Sequence, residues 1–269
     1  MTASRPPDFA DHFSRVSAAY SQARPGYPEA LFDWIAAIAP QRTLAWEAGC
    51  GSGQATRGLA SRFDAVHASD PSAAQVAQAP RLAGVHFLVA PGERCSLPDA
   101  SVDAACVAQA LHWFDRDRYF AECARVLRRG GVLVAWGYQD VVLPPVLAAA
   151  GAAFLDEIAG DWPPQRAEFD AGYAGYQWPF EALPVPHIAL TARWPLQRLL
   201  GYFSSFSAVK RHREATGADP VARHADALAA AWGDPGRERD LSWPLFVHAR
   251  RKPDRTTVAA RQPGHIASP

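Results

Sequence analysis

Cysteine is scarce in this chain: Cys50, Cys95, Cys106 and Cys123 are scattered through 269 residues with no C-x-x-C pair. That scatter argues against a zinc site or a disulfide framework and for free thiols in a reducing compartment. An excess of charge is missing as well. Lys+Arg and Asp+Glu both total 27 and no long basic run occurs, so neither nucleic acid nor an anionic membrane is expected as a partner. No window approaches the ~18 to 20 apolar residues of a membrane span, and Met1 to Pro7 contain no apolar secretion core. The expectation is a soluble cytoplasmic protein, monomer or homodimer, without a metal. Its length suffices to bury a core without staples, and suits one α/β domain with an insertion.

What is present is organised around Leu44 to Gly53. Leu-Ala-Trp-Glu-Ala-Gly-Cys-Gly-Ser-Gly is a short buried strand that turns sharply into the helix-forming run from Gln54 to Ala60. Gly49, Gly51 and Gly53 lack the Cβ that would forbid positive φ and block another molecule from the backbone. Ala65 to Ser69 is a second strand, ending at Asp70, and Ser72 caps a helix to about Gln78. Val85 to Ala90 and Val102 to Ala108 are a third and a fourth. A helix from Asp115 to Arg129, stopped by Gly130-Gly131, precedes a fifth strand from Val132 to Trp136. Strand and helix alternating at these spacings predict a doubly wound, mostly parallel α/β sheet.

Upstream, Phe9 to Tyr20 has helical spacing, and Pro28 opens a helix to about Ala39. Between them Tyr20, Arg24 and Tyr27, held by Pro25 and Pro28, are either surface decoration or a rigid lid over an anionic ligand. After Gln139 the alternation ends. A helix from Pro145 to Ile158 leads into a segment, Phe154 to Phe206, with eleven aromatics in 53 residues and prolines between them. It reads as a second core that also roofs a cleft at the sheet's carboxyl edge. His187 to Arg193 reads as strand, Leu196 to Phe203 and Pro220 to Trp232 as helices, and Trp243 to Arg250 as the last strand. The organisation expected is a helical lid (1–40), a cofactor-binding core (41–138), a cap insertion with the C-terminal strands (139–252) and a disordered tail (253–269).

The turn's chemistry separates two cofactor classes. A dinucleotide asks for G-x-G-x-x-G beneath its pyrophosphate, and here the third glycine falls one residue early. Glu47, just before the turn, would repel a pyrophosphate but suits an ammonium group, while Asp70 can accept hydrogen bonds from both ribose hydroxyls. Ammonium, ribose and adenine together describe S-adenosylmethionine.

Glu47-Ala-Gly49-Cys-Gly51-Ser-Gly53, with Asp70 and the Arg-Val-Leu-Arg-Arg-Gly-Gly run at 125–131, resembles the class I S-adenosylmethionine-dependent methyltransferases. The resemblance implies their seven-stranded Rossmann-like sheet. It also implies that Glu47 meets the methionine part of the cofactor, that Gly49, Gly51 and Gly53 allow close approach, and that Asp70 holds the ribose. Pro71 and Ser72 would flank the adenine, Glu93 or its neighbours would reach the adenine amino group, and Gln109, Ala110 and His112 would lie beside the sulfonium. Arg129 stands where that family usually has proline. Tyr20-x-x-x-Arg24-Pro-x-Tyr27-Pro, Gln109-Ala-Leu-His112-Trp113-Phe114 and Trp136-Gly137-Tyr138 are similar to the trans-aconitate methyltransferase-like branch, which implies that Tyr20 and Arg24 close over the cofactor.

Methyl transfer to a small-molecule carboxylate needs no base, whereas a hydroxyl or ring nitrogen can require one. His112 is the candidate base, or else a structural histidine packed by Trp113. Trp113, Trp136 and Tyr138 are candidate walls of the substrate pocket. An NAD-binding oxidoreductase and a non-catalytic cofactor-binding protein are the competing readings.

Overall fold

The computed structural model of the protein describes residues 24–254, so the expected first helix, Tyr20 and the tail after Asp254 lie outside the described residues. Strands β1 (Leu44–Ala48), β2 (Ala65–Asp70), β3 (Val85–Val89), β4 (Val102–Ala108) and β5 (Leu127–Tyr138) pair in parallel. They are followed by β6 (Glu181–Ala182), β7 (Leu190–Trp194), β8 (Arg239–Trp243) and β9 (Leu245–Arg251). The main sheet has seven strands in the order β3-β2-β1-β4-β5-β9-β6, with β9 antiparallel to both neighbours. This is the doubly wound sheet that the alternation predicts. β7 and β8 form a separate antiparallel ribbon.

The helices are α1 (Glu29–Ile38), α2 (Thr56–Ala60), α3 (Ala73–Val76), α4 (Arg116–Val126), α5 (Ala148–Glu157), α6 (Arg166–Asp170), α7 (Leu196–Ser204), α8 (Ser207–Thr216) and α9 (Pro220–Trp232). None among the described residues is long and apolar enough to cross a membrane. On one sheet face Leu31 and Ile35 of α1 pack with Leu59, Val66, Val134 and Trp136. On the other, Tyr119, Cys123 and Val126 of α4 pack with Trp46, Val107 and Leu133. Covered on both sides, β1 and β4 read as near-continuous apolar runs. A third core, built from Phe154, Trp194, Leu199, Phe203, Trp232 and Trp243, belongs to the cap and meets the sheet at Tyr138.

Several boundaries differ from expectation for local reasons. The helix expected to reach Arg129 ends at Val126, because Leu127 already pairs with Val102 across the sheet. Gly130 and Gly131 therefore lie within β5 and do not stop a helix. The single last strand is two, divided at Pro244, which has no N–H to continue a ladder; Trp243 belongs to β8. The strand expected from His187 starts at Leu190. Helix α8 was not anticipated.

Candidate active site

The strand order reverses between β1 and β4, and a cavity of about 400 Å³ opens at their carboxyl ends. Its floor is the glycine turn, where Gly49, Gly51 and Gly53 take φ of +69°, +54° and +84°. The three serve different ends. A Cβ on Gly49 would stand 2.7 Å from the Ala110 Cβ, and one on Gly53 would stand 3.1 Å from the Phe87 ring. At Gly51 the nearest atom, Gln75 Oε1, is 4.0 Å away, so the backbone there lies open to the cavity. Packing requires the outer two glycines; the middle one forms the cradle.

Two carboxyl groups flank this cradle. Asp70 ends β2, and its Oδ2 accepts from Gly51 N at 2.9 Å while Oδ1 accepts from Ser72 N at 2.8 Å. Each oxygen keeps a further lone pair for a ligand hydroxyl. Glu47 is buried on β1, with Oε2 accepting from Thr56 Oγ1 of α2 at 2.6 Å. Burial pushes its pKa up to about 8, the Thr56 bond opposes this, and the Asp70 charge adds to it. Near neutrality the carboxyl therefore keeps its proton until a cation arrives beside it.

Between floor and cap lies the loop after β4. Gln109 takes φ +56°, a left-handed conformation that costs a non-glycine residue energy, and with Ala110 it lines the cavity. His112 follows on a single 3-10 turn, Leu111–Trp113, its ring between Trp113 at 5.0 Å and Phe169 at 5.2 Å. Its Nδ1 lies 2.9 Å from the Tyr173 hydroxyl. Burial, aided by the Arg166 charge, pushes the His112 pKa down to about 4, so the ring is neutral at pH 7.

The loop before α1 is tied down at Arg24 and Pro25. Gln54 Nε2 donates to Pro25 O at 2.6 Å, and Arg24 Nη2 donates to Ser205 O at 3.3 Å with its guanidinium 5.4 Å from the Tyr202 ring. The cap supplies the remaining wall through Trp162, Arg166, Phe169, Phe206 and α8, whose Lys210, Arg211, Arg213 and Glu214 all reach the cavity.

Arg24, Glu47, Gly49, Gly51, Asp70, Gln109, Ala110, His112, Trp113 and Tyr138 thus converge on one cavity. Gly53 faces Phe87 and Pro80 beneath the turn. Trp136 does not reach the cavity: it is fully buried, and Tyr27 packs over it at 5.8 Å. Ser72 spends its hydroxyl capping α3, and Glu93 accepts from Asp115 N at the start of α4, at 2.7 Å. Pro71 stands off the wall too. Among the cap residues missed, α8 carried a usable signal: Lys210 and Glu214 are spaced i,i+4, and Gly217 closes the helix at φ +73°.

Residues 46–135 match the methyltransferase domain family. A protein of Dictyostelium discoideum named as a methyltransferase is 30% identical over 256 residues, which cover 92% of this chain and 97% of that one. An uncharacterised methyltransferase of Mycobacterium bovis is 40% identical over 143 residues, covering 52% of this chain and 57% of its own length. A solved structure from Anaeromyxobacter dehalogenans, named as a type II methyltransferase, shares 46% identity with a TM-score of 0.81 and covers 86% of this chain and 99% of its own. The chain belongs to the methyltransferases. More particularly, it is of class I, and its methyl donor is S-adenosylmethionine. The residues present fit that donor: an open glycine backbone, a carboxylate with spare lone pairs, and a buried carboxyl with no cation beside it among the described residues.

Proposed function

We propose that this protein transfers a methyl group by in-line displacement to a small, anionic molecule held between the glycine turn and the cap, acting in the cytoplasm as a monomer or homodimer. The observation that carries this reading is the cavity itself. One end holds Glu47, Gly51 and Asp70, and the other gathers Arg166, Lys210, Arg211 and Arg213, with Arg166 paired to Asp140 and Asp170, Lys210 to Glu214 and Arg213 to Asp219. S-adenosylmethionine supplies a methyl group already activated on a sulfonium sulfur. The chain's task is then alignment and exclusion of water: Asp70 accepts from the ribose hydroxyls, Glu47 balances the ammonium group, and the cap brings the acceptor within roughly 3 to 3.5 Å of the methyl group. Tyr20 and Arg24 close over the donor, with Arg24 near its carboxylate.

Support for the trans-aconitate methyltransferase-like branch comes from two of its motif segments meeting: the Tyr27 ring packs against Trp136 at 5.8 Å and Tyr138 at 6.0 Å. Calorimetry with S-adenosylmethionine, S-adenosylhomocysteine and NAD tests the cofactor, followed by turnover on a panel of carboxylic acids, phenols and heterocycles. Tight binding of the sulfur ligands and turnover of an acid are expected. Binding of NAD alone sinks the proposal; binding of the sulfur ligands without turnover of any anion sinks its acceptor.

A further inference from the structure

We propose that Tyr173 is a positioning residue that holds His112 as the Nε2–H tautomer, so that the imidazole offers the cavity a hydrogen-bond donor and takes no proton from the acceptor. Tyr173 comes from the cap, 61 residues beyond His112, and is buried to 1% exposure. Its backbone is strained, at φ +60° directly after Gly172 at +57°. A tyrosine persists in the left-handed region only where its surroundings over-determine it. Here the ring stacks on Tyr176 at 4.8 Å and meets Phe246 edge-on at 5.1 Å, which fixes the hydroxyl against the 3-10 turn that bears His112.

The direction of the bond follows from what the hydroxyl can reach. Tyr173 is buried, and a phenol O–H shut away from water has to donate to a group beside it. Were Nδ1 itself protonated, two donors would face each other and the phenol proton would have no acceptor among the described residues. The group within reach is His112 Nδ1, at 2.9 Å. Nδ1 therefore accepts, and a neutral ring with Nδ1 bare carries its hydrogen on Nε2. Nε2 has no protein hydrogen-bond partner among the described residues, and His112 lines the cavity.

The chemical consequence replaces the base expected from sequence. The ring's lone pair is engaged by Tyr173, so a proton on the acceptor has nowhere to go on His112. The acceptor must arrive with its lone pair exposed, and Nε2–H orients an oxygen of that molecule. The role in methyl transfer rests on the proposed function; the tautomer does not.

Two-bond 15N–1H correlation spectra of the labelled full-length protein at pH 7, with the His112 signals assigned by their loss in His112→Gln, read the tautomer directly. A bare Nδ1 and a protonated Nε2 are expected. Tyr173→Phe keeps the ring stack but removes the proton, and is expected to give a mixture containing protonated Nδ1, a change that loss of packing alone would not produce. A wild-type ring protonated on Nδ1 overturns the proposal, as does an unchanged tautomer in a folded Tyr173→Phe protein. Should that variant not fold, the wild-type spectrum decides. The measurement needs no methyl acceptor, so the expected tautomer with no turnover on the panel removes only the proposed function. S-adenosylhomocysteine binding and turnover with an Nδ1–H ring removes only this inference.

Discussion

Glu47 is the residue whose protonation reports the donor. In the cofactor-free fold it holds its proton up to about pH 8, whereas in the unfolded chain it gives that proton up near 4.5. The folded state therefore binds the extra proton, and stability falls as pH rises through that window. His112 works the other way: its pKa falls from 6.5 to about 4, so its contribution is present above 6.5 and is lost as pH falls through 4. Between 4.5 and 6.5 the two effects oppose each other. Above 6.5 the Glu47 effect stands alone, and the cofactor-free protein should lose up to about 2 kcal/mol between pH 6.5 and 8, read by urea unfolding. Glu47→Gln should flatten that slope. S-adenosylhomocysteine, whose ammonium draws the proton off, should bind more tightly as pH rises from 6 to 8, with about one proton released in calorimetry across two buffers. A pH-independent affinity would contradict the Glu47 assignment. At Asp70 the expectation concerns affinity: Asp70→Ala should weaken S-adenosylhomocysteine binding by at least ~1.5 kcal/mol, since the ribose bonds and the Gly51 contact are lost together. Wild-type affinity in that variant would contradict the ribose assignment.

At the scale of the element, the glycine turn and the loop after β4 form one unit. Gly49 at φ +69° lies so close to Ala110 that Gly49→Ala must push the two turns apart. Backbone strain and overpacking together should cost about 1–3 kcal/mol of stability and lower cofactor affinity as well. Thermal unfolding and calorimetry check this, and a variant that binds normally would show that the two turns move independently. The same region shows why some features were legible in the sequence. Residues 44–53 and Val102–Ala108 carry local signals, an apolar run and alternate glycines, and local signals survive packing. The end of α4 does not, because Leu-Arg-Arg is as compatible with helix as with strand until Leu127 meets Val102. Trp136 and Tyr138 lie two residues apart in β5 and so share a face, as sequence implies. Residues more than 100 positions away in the chain, Tyr27 and Phe32, pack on Trp136 and cover it, while Tyr138 lines the cavity.

For the molecule as a whole, the sheet carries its own cores and the cap another, with the cavity between them. The cap was the less legible part, because its polar ties join residues distant in sequence and alternate with no period. Glu157 at the end of α5 is one such tie. Its carboxylate accepts from Arg223 Nη1 at 2.8 Å and His224 Nε2 at 2.7 Å on α9, and lies 3.3 Å from His212 Nε2 on α8, whose Nδ1 faces Asp161 at 2.8 Å. Removing the shared acceptor leaves His224 Nε2 without its carboxylate in a partly buried site and takes one of two carboxylates from His212, which should cost about 1–3 kcal/mol. Glu157 does not line the cavity, and none of the groups that form the glycine turn contacts it. Glu157→Ala should therefore loosen the roof and spare the floor. The expected result is faster proteolysis within residues 139–243 and lower turnover, with S-adenosylhomocysteine affinity within a few-fold of wild type. Loss of affinity as large as that in Asp70→Ala would mean that cap and floor fold as one unit, and that the donor site depends on the roof above it.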